Sequence, residues 1–210
     1  MNKKRGEIVL LVGVVLAVLI LFSFYFDGQI LIYIQSVNIG LLMDILLGIT
    51  FVSSELIIFF VLPVFFLWQE HKRKWILPLW VALGFSVALG FLLKFGVQRL
   101  RPFQQGLTEL MPILANPSFT TWNFSFPSLQ TMMVFAAIPI LFKEFRKISF
   151  LWIIFAVLVA FSRVYFGLHF LSDVLVGGAL GFTIGWIVVD MENRKRFWSR
   201  IYEKMFYGER

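Results

Sequence analysis

Cysteine is absent from this 210-residue sequence, and charged residues are scarce. The absence of cysteine excludes a disulfide framework and a thiol nucleophile. Charged residues make up only 15% of the chain, whereas hydrophobic residues make up 60%. A water-soluble domain of this size needs more charge on its surface. The composition therefore predicts a polytopic membrane protein.

Basic residues give a net charge of +7, but their distribution argues against nucleic acid as a partner. They form short clusters between long apolar runs, at residues 3–5, 72–74, 143–147 and 194–196. Such clusters are typical of cytoplasmic loops. We therefore expect a multi-pass protein of the cell membrane with both termini in the cytoplasm.

A membrane-spanning helix needs about 20 mostly apolar residues, and six stretches approach this length. The first has a long apolar core with no cleavage site after it, which indicates a retained helix rather than a signal peptide. The segment between the first and second spans is of mixed character and predicts an interfacial helix. No repeat or second domain is visible, so the sequence predicts one all-α domain over residues 1–210. The six predicted spans cover residues 7–26, 49–69, 76–97, 128–142, 148–164 and 170–191.

Four basic residues lie at the opposite, outer ends of the third and fifth spans: Lys94, Arg99, Arg101 and Arg163. A single cation near a helix end is usually an anchor whose charge reaches the interface. Several cations at one membrane face need another explanation. Guanidinium groups bind two phosphate oxygens at once, so the group predicts a phosphate-binding site.

Ser128, His169 and Asp173 add to this site. Ser128 opens a predicted helix directly after Pro127, where free backbone N–H groups favour an anion. His169 and Asp173 are four residues apart, which on a helix places them on one face. An aspartate at one imidazole nitrogen fixes the tautomer and leaves the other nitrogen free to attack phosphorus. From this pair alone, a capping histidine with a charge partner is an equal alternative.

These residues resemble the motifs of the membrane-bound type 2 phosphatidic acid phosphatase superfamily. That superfamily includes bacterial undecaprenyl pyrophosphate phosphatases and phosphatidylglycerophosphate phosphatases. Its first motif, K-x6-RP, matches Lys94, Arg101 and Pro102. Its third motif, SR-x5-H-x3-D, matches residues 162 to 173 and contains His169. The resemblance covers nearly the whole chain.

The resemblance implies that a lipid phosphate or a polyprenyl diphosphate is dephosphorylated at the outer leaflet of the membrane. His169 is then the nucleophile that forms a phosphohistidine, and Asp173 orients it. The resemblance implies no metal or other cofactor. The residues that would hold the phosphoryl oxygens are Lys94, Arg101, Ser128 and Arg163.

The second motif departs from the family pattern PSGH, because the chain reads Pro127-Ser128-Leu129-Gln130. Gln130 replaces the family's general acid and cannot transfer a proton, a loss that typically costs about 10²–10⁴ in rate. His71 lies in a predicted cytoplasmic loop and cannot substitute. Three alternatives follow: a diphosphate substrate whose leaving group needs less help, transfer of the phosphoryl group to another acceptor, or lipid head-group binding without catalysis.

Two charged residues are left outside the predicted site. Arg99 lies outside the motif positions, and we interpret it as an interfacial anchor. Glu55 lies near the outer end of the second span, where an acidic residue is either functional or an interfacial group bound to water or serine, and it is left outside the predicted site. A small transporter is a weaker hypothesis, because the ionisable residues gather at one membrane face rather than deep in the bundle.

Overall fold

The computed structural model describes residues 3–37, 40–114 and 124–208. Within these ranges the chain is helical and contains no strand, which confirms the all-α prediction. Three short 3-10 helices cover Glu70–Trp75, Phe103–Gln105 and Pro112–Leu114. The α-helices are α1 (Lys3–Ser36), α2 (Gly40–Val52), α3 (Glu55–Val61), α4 (Val64–Leu67), α5 (Ile76–Val97), α6 (Leu129–Glu144), α7 (Arg146–Tyr165), α8 (Leu171–Lys195) and α9 (Phe197–Tyr207).

Helix α6 lies at the centre of the bundle and packs against α3, α5, α7 and α8. It approaches α8 closely because α8 presents glycines to it at four-residue spacing. A Cβ atom at Gly181 would lie 2.0 Å from the carbonyl oxygen of Met132, and one at Gly185 would lie 2.0 Å from that of Ala136. Small residues at this spacing let two membrane helices pack backbone to backbone. The two helices run in the same direction, so their N-termini lie side by side at one end of the bundle.

In the part of the chain that the structure describes, four helical stretches are long and apolar enough to cross a membrane: Leu10–Ser36, Glu70–Val97, Arg146–Tyr165 and Leu171–Lys195. The pair Gly40–Val52 and Glu55–Leu67, bent by 61°, is a fifth candidate. Many large apolar side chains on these helices are exposed, as expected where lipid rather than water surrounds them. The chain is therefore a multi-pass membrane protein, and the third, fifth and sixth predicted spans agree closely with α5, α7 and α8.

The segment before α5 differs from the prediction. Helix α1 continues to Ser36, because the apolar pattern resumes at residues 30–34 after the short polar stretch at 27–29. The predicted second span is interrupted between α2 and α3, where Ser54 caps α3 by accepting a hydrogen bond from the Ile57 N–H at 3.4 Å. A separate interfacial helix is not confirmed. Nor is the count of six spans, since α6 has 16 residues and is only about 24 Å long.

Two left-handed residues turn the chain back across the end of the bundle that carries the sequence motifs. Gln98 ends α5 with φ of 51°, so the residues after it return toward the helix ends. Gly167 has φ of 64° in the turn between α7 and α8. A Cβ atom there would lie 2.5 Å from the Thr108 hydroxyl oxygen, so a larger residue would clash as well as strain the backbone. These turns place residues 99–101 and 169 next to each other.

Candidate active site

The motif residues meet at one end of the bundle because consecutive long helices alternate in direction. Lys94 lies in the last turn of α5 and Arg163 in the last turn of α7. Gln130 and Asp173 lie in the first turns of α6 and α8. His169 lies in the connection between α7 and α8. All but Gln130 are buried, with at most 5% of each residue exposed.

The imidazole of His169 lies between a guanidinium and a carboxylate. Arg101 Nη1 is 3.2 Å from Nε2 and also donates to the carbonyl oxygen of Leu168 at 2.6 Å. Nδ1 is 3.7 Å from Asp173 Oδ2, and among the described residues it has no hydrogen-bond partner. An arginine can only donate, so Nε2 accepts and Nδ1 carries the proton. The lone pair of Nε2 therefore faces the guanidinium of Arg101.

Burial keeps the His169 imidazole uncharged. Burial lowers the pKa of His169 to about 3, and the positive charge of Arg101 acts in the same direction. Burial also lowers the pKa of Arg101 to about 10, so its guanidinium remains charged at neutral pH. A neutral imidazole beside a charged guanidinium has the protonation states required for attack on an anionic phosphoryl group.

Three hydrogen-bond donors hold the carboxylate of Asp173. Oδ2 accepts from the Phe170 N–H at 2.8 Å and from the Ser125 hydroxyl, and Oδ1 accepts from Arg99 Nη1 at 2.7 Å. The bond to Phe170 caps the N-terminus of α8. His169 precedes this helix, so the two residues do not share a helical face as the four-residue spacing suggests. Their proximity comes from the turn before α8.

Two further buried cations, Lys94 and Arg163, interact electrostatically with Arg101. Lys94 Nζ donates to the carbonyl oxygen of Phe124 at 2.5 Å. Arg163 Nη1 donates to Gln130 Oε1, while its Nη2 is buried and has no partner among the described residues. Like charges repel, and an unpaired buried donor is costly. A bound phosphoryl group would relieve both the repulsion between the cations and the lack of an acceptor at Arg163 Nη2.

The second motif is tied to the surrounding protein. The Ser128 N–H donates to the Asp173 carbonyl oxygen at 3.1 Å, and the Ser128 hydroxyl oxygen is 2.9 Å from that of Thr131. The Ser128 N–H is therefore used within the protein, whereas either hydroxyl of the Ser128–Thr131 pair can be the donor, so binding of a phosphate by Ser128 stays a prediction. Leu129 begins α6 in helical geometry, and a Cβ atom at Gly90 would lie 2.7 Å from Leu129 Cδ1. The leucine therefore fits here without left-handed backbone, because it fills the space beside a glycine of α5.

Sequence reasoning missed a carboxylate and a cation that belong to the same network. Arg99 was expected to be an interfacial anchor, but its Nη2 donates to Asp27 Oδ2 at 2.7 Å while its Nη1 binds Asp173. Asp27, in α1, is only 4% exposed. An acidic residue within an apolar membrane helix usually has a functional partner, and this signal could have found it.

Glu55 and His71 lie in different surroundings. Glu55 is half-buried at the start of α3, and its charge acts on Lys94, Arg101 and Arg163. It therefore lies nearer the site than the sequence indicates. His71 is exposed in the 3-10 helix before α5, at the opposite end of the bundle.

Comparison with known proteins identifies the family. A model of the PAP2 superfamily matches residues 75–197, more than half of the chain and a range that contains all three motif regions. The chain belongs to the PAP2 superfamily.

Two curated relatives of this PAP2 protein are phosphatases by name. The undecaprenyl-diphosphatase of Sulfolobus acidocaldarius is 30% identical over 59% of this chain and 58% of its own length. Phosphatidylglycerophosphatase B of Bacillus subtilis is 31% identical over 59% of this chain and 71% of its own length. The chain thus spans less than two thirds of the Sulfolobus protein.

Two solved structures share the fold over most of the PAP2 chain. The crystal structure of a transmembrane PAP2-type phosphatidylglycerolphosphate phosphatase from Bacillus subtilis has a TM-score of 0.66 at 25% identity and covers 88% of this chain and 98% of that one. The structure of Aquifex aeolicus LpxE has a TM-score of 0.64 at 26% identity and covers 78% of this chain and 94% of that one.

Proposed function

We propose that the protein removes the terminal phosphoryl group of a lipid phosphate or polyprenyl diphosphate through a phosphohistidine on His169. The observation that carries this proposal is the position of the His169 imidazole. Its Nδ1 faces Asp173 at 3.7 Å, and its Nε2 is 3.2 Å from Arg101 on the cationic side of the site. The family membership and the two phosphatase relatives support the same reaction.

The reaction begins when the phosphoryl group takes the place of the Arg101 contact at Nε2. Lys94, Arg101 and Arg163 then bind its oxygens and reduce the repulsion that the phosphate charge presents to the nucleophile. The Nε2 lone pair forms a bond to phosphorus as the bond to the lipid oxygen breaks. Asp173 stabilises the positive charge that develops on the imidazole.

In the second half-reaction, water attacks the phosphorus and the P–N bond breaks. The products are inorganic phosphate and the neutral imidazole of His169. The lipid oxygen takes up one proton after leaving, either from water or from a nearby donor. Gln130 cannot supply this proton, since its amide does not titrate.

Gln130 favours a diphosphate as the substrate. A lipid phosphate is a much weaker base than a lipid alkoxide, so it leaves with little protonation. Gln130 Oε1 is bound to Arg163, which leaves the amide N–H₂ of Gln130 as a donor for the leaving group or a phosphoryl oxygen. The glutamine thus orients Arg163 in place of protonating the product.

We propose further that the site faces the outside of the cell and that α1, the bent α2–α4, α5, α6, α7 and α8 form six crossings. The support is the basic clusters near the start of α5, between α6 and α7 and at the end of α8, all at the end of the bundle opposite to the site. Because the sequence contains no cysteine, labelling of a single introduced cysteine reports the location of that residue alone. Gln105→Cys should react with an impermeant maleimide in intact cells, and Lys147→Cys only after lysis.

Phosphate release from phosphatidate and from undecaprenyl diphosphate, both in detergent micelles, tests the reaction. We expect release from the diphosphate to exceed release from the monoester, and His169→Asn to abolish both. His71→Asn is the matched control, because it removes the other histidine at the far end of the bundle and should retain full activity. Release that survives in His169→Asn, or no release from either lipid, would refute the proposal.

A further inference from the structure

We propose that Asp27 and Arg99 are positioning residues that fix the orientation of the Asp173 carboxylate and, through it, the tautomer of His169. This inference rests on the phosphohistidine chemistry proposed above. Asp27 lies outside residues 75–197, so the family match does not include it. The inference gives α1 a role in the reaction in addition to anchoring the chain.

The pair is part of a continuous chain of hydrogen bonds from α1 to the active site. Arg99 Nη2 donates to Asp27 Oδ2 at 2.7 Å, and Arg99 Nη1 donates to Asp173 Oδ1 and to the Ser172 hydroxyl, each at 2.7 Å. Asp27 also accepts from the Ser172 N–H at 3.0 Å and from the Ser172 hydroxyl. Arg99 therefore joins two carboxylates that are 146 residues apart in the sequence, at positions 27 and 173.

The guanidinium of Arg99 is held in one orientation. Its centre lies 4.1 Å from the ring centroid of Phe170 and 5.3 Å from that of Phe24. Only 20% of the Arg99 side chain is exposed, and both of its terminal nitrogens are bonded to protein side chains. These contacts favour a positioning role over direct phosphate binding, for which the planar donors would have to face the substrate.

Arg99 determines which oxygen of Asp173 faces the imidazole. Oδ1 is bound to Arg99, whereas Oδ2, the oxygen 3.7 Å from His169 Nδ1, accepts from Ser125 and Phe170. A carboxylate held at both oxygens cannot rotate about its terminal bond. The proton on Nδ1 is then favoured over a proton on Nε2, and the nucleophilic lone pair stays on Nε2.

Asp27 is needed because Arg99 carries a full charge. Without Asp27, that charge would act on Asp173 alone and weaken the attraction between the carboxylate and the imidazolium that develops during the reaction. With Asp27 in place, the pair of Arg99 and Asp27 is neutral, and the negative charge of Asp173 remains available to His169. The effects of substituting charged partners in one buried network are not additive, so the losses in rate from substituting Asp27 and Arg99 should not add.

The experiment uses the two-histidine composition of the chain. In the His71→Gln background, ¹⁵N-histidine labelling in micelles gives ring-nitrogen signals from His169 alone. We expect the parent to show the Nδ1–H tautomer. Asp27→Asn and Arg99→Lys should both increase the Nε2–H tautomer. Each should lower kcat for undecaprenyl diphosphate by about 10- to 100-fold, the range for removing an outer hydrogen-bond partner, with KM changed by less than about twofold.

A second ion pair on α8 provides the control. Arg194 Nε is 2.8 Å from Asp190 Oδ2 at the far end of the helix. Arg194→Lys and Asp190→Asn should change neither the tautomer nor kcat. Asp27→Glu, which keeps the charge, should recover part of the lost rate. The double variant of Asp27→Asn with Arg99→Lys should be no slower than the slower single variant, because both act through one chain of contacts.

The outcomes separate this inference from the proposed function. If the parent releases phosphate and the Asp27 and Arg99 variants keep both its tautomer and its kcat, the inference is refuted while the function stands. If the parent releases no phosphate but the variants change the tautomer, the function is refuted and the positioning role stands. A fall in kcat with an unchanged tautomer refutes positioning through His169. If Arg99→Lys fails to fold, as judged by thermal unfolding, Arg99→Gln replaces it and the same criteria apply; if Asp27→Asn fails to fold, the Arg99 variant alone decides.

Discussion

Gln130→His should increase phosphate release from a lipid monoester relative to release from a diphosphate. Gln130 lies in the first turn of α6, is half-buried, and is bound to Arg163 through its amide oxygen. In the proposed substrate complex, an imidazole at this position would lie beside the phosphoryl group and would protonate the leaving oxygen. We expect phosphate release from phosphatidate to rise more than release from undecaprenyl diphosphate, because an alkoxide needs a proton to leave and a lipid phosphate does not.

Arg163 limits the size of this gain. At an effective dielectric constant of about 20, a protonated imidazole about 4 Å from a guanidinium is disfavoured by about 4 kcal/mol. A dianionic phosphoryl group bound to Arg163 offsets most of this repulsion, so protonation is favoured only in the substrate complex. We therefore expect a gain of about 10² for the monoester, the lower end of the range for general acid catalysis, and less than about tenfold for the diphosphate.

The assay compares kcat/KM for the two lipids in the parent, Gln130→His and Gln130→Asn. Gln130→Asn is the matched control, because it shortens the side chain and weakens the contact to Arg163 without adding an acid. It should lower both rates by a similar factor. Equal gains for the two lipids in Gln130→His, or a gain in Gln130→Asn, would show that the missing acid does not determine substrate preference.

Two other predictions concern packing and protonation. Gly181→Ala should lower the unfolding temperature, because its Cβ would lie 2.0 Å from the Met132 carbonyl oxygen and overpacking costs about 1–3 kcal/mol or more. The control Gly84→Ala has no atom within 4 Å of its Cβ and should leave the unfolding temperature unchanged. Equal effects of the two substitutions would contradict the close α6–α8 contact. Burial lowers the pKa of His169 to about 3, so the imidazole should stay neutral from about pH 8 to pH 5. An unperturbed histidine titrates in this range. Ring-nitrogen chemical shifts of the His71→Gln protein that titrate near pH 6.5 would therefore contradict the burial of His169.

The sequence predicts the helical class and much of the site because both depend on local signals. Apolar length locates α5, α7 and α8, and the motif spacings identify Lys94, Arg101, His169 and Asp173. The structure brings Arg101, His169 and Asp173 into contact or near contact. The boundaries of α1, α2 and α3 were harder to predict, because the sequence from residues 27 to 54 mixes apolar and polar residues without a strong helix-ending signal.

The role of Arg99 could not be read from the sequence because it depends on the tertiary fold. Its partner Asp27 is 72 residues away, and the two meet only because Gln98 ends α5 in a left-handed turn that directs Arg99 toward α1. The motif pattern K-x6-RP leaves position 99 unspecified. The sequence signals for this pair are an acidic residue within the apolar helix α1 and a cation beside a motif. Neither signal shows that Asp27 and Arg99 are partners.

Trapping with ³²P-labelled undecaprenyl diphosphate tests the phosphohistidine most directly. In the His71→Gln protein, rapid quenching under alkaline conditions should yield labelled protein whose phosphate is released by acid, and the label should map to His169. The His169→Asn protein should carry no label and release no phosphate. Steady phosphate release with no labelled protein at any quench time, or a label on another residue, would contradict the proposed mechanism.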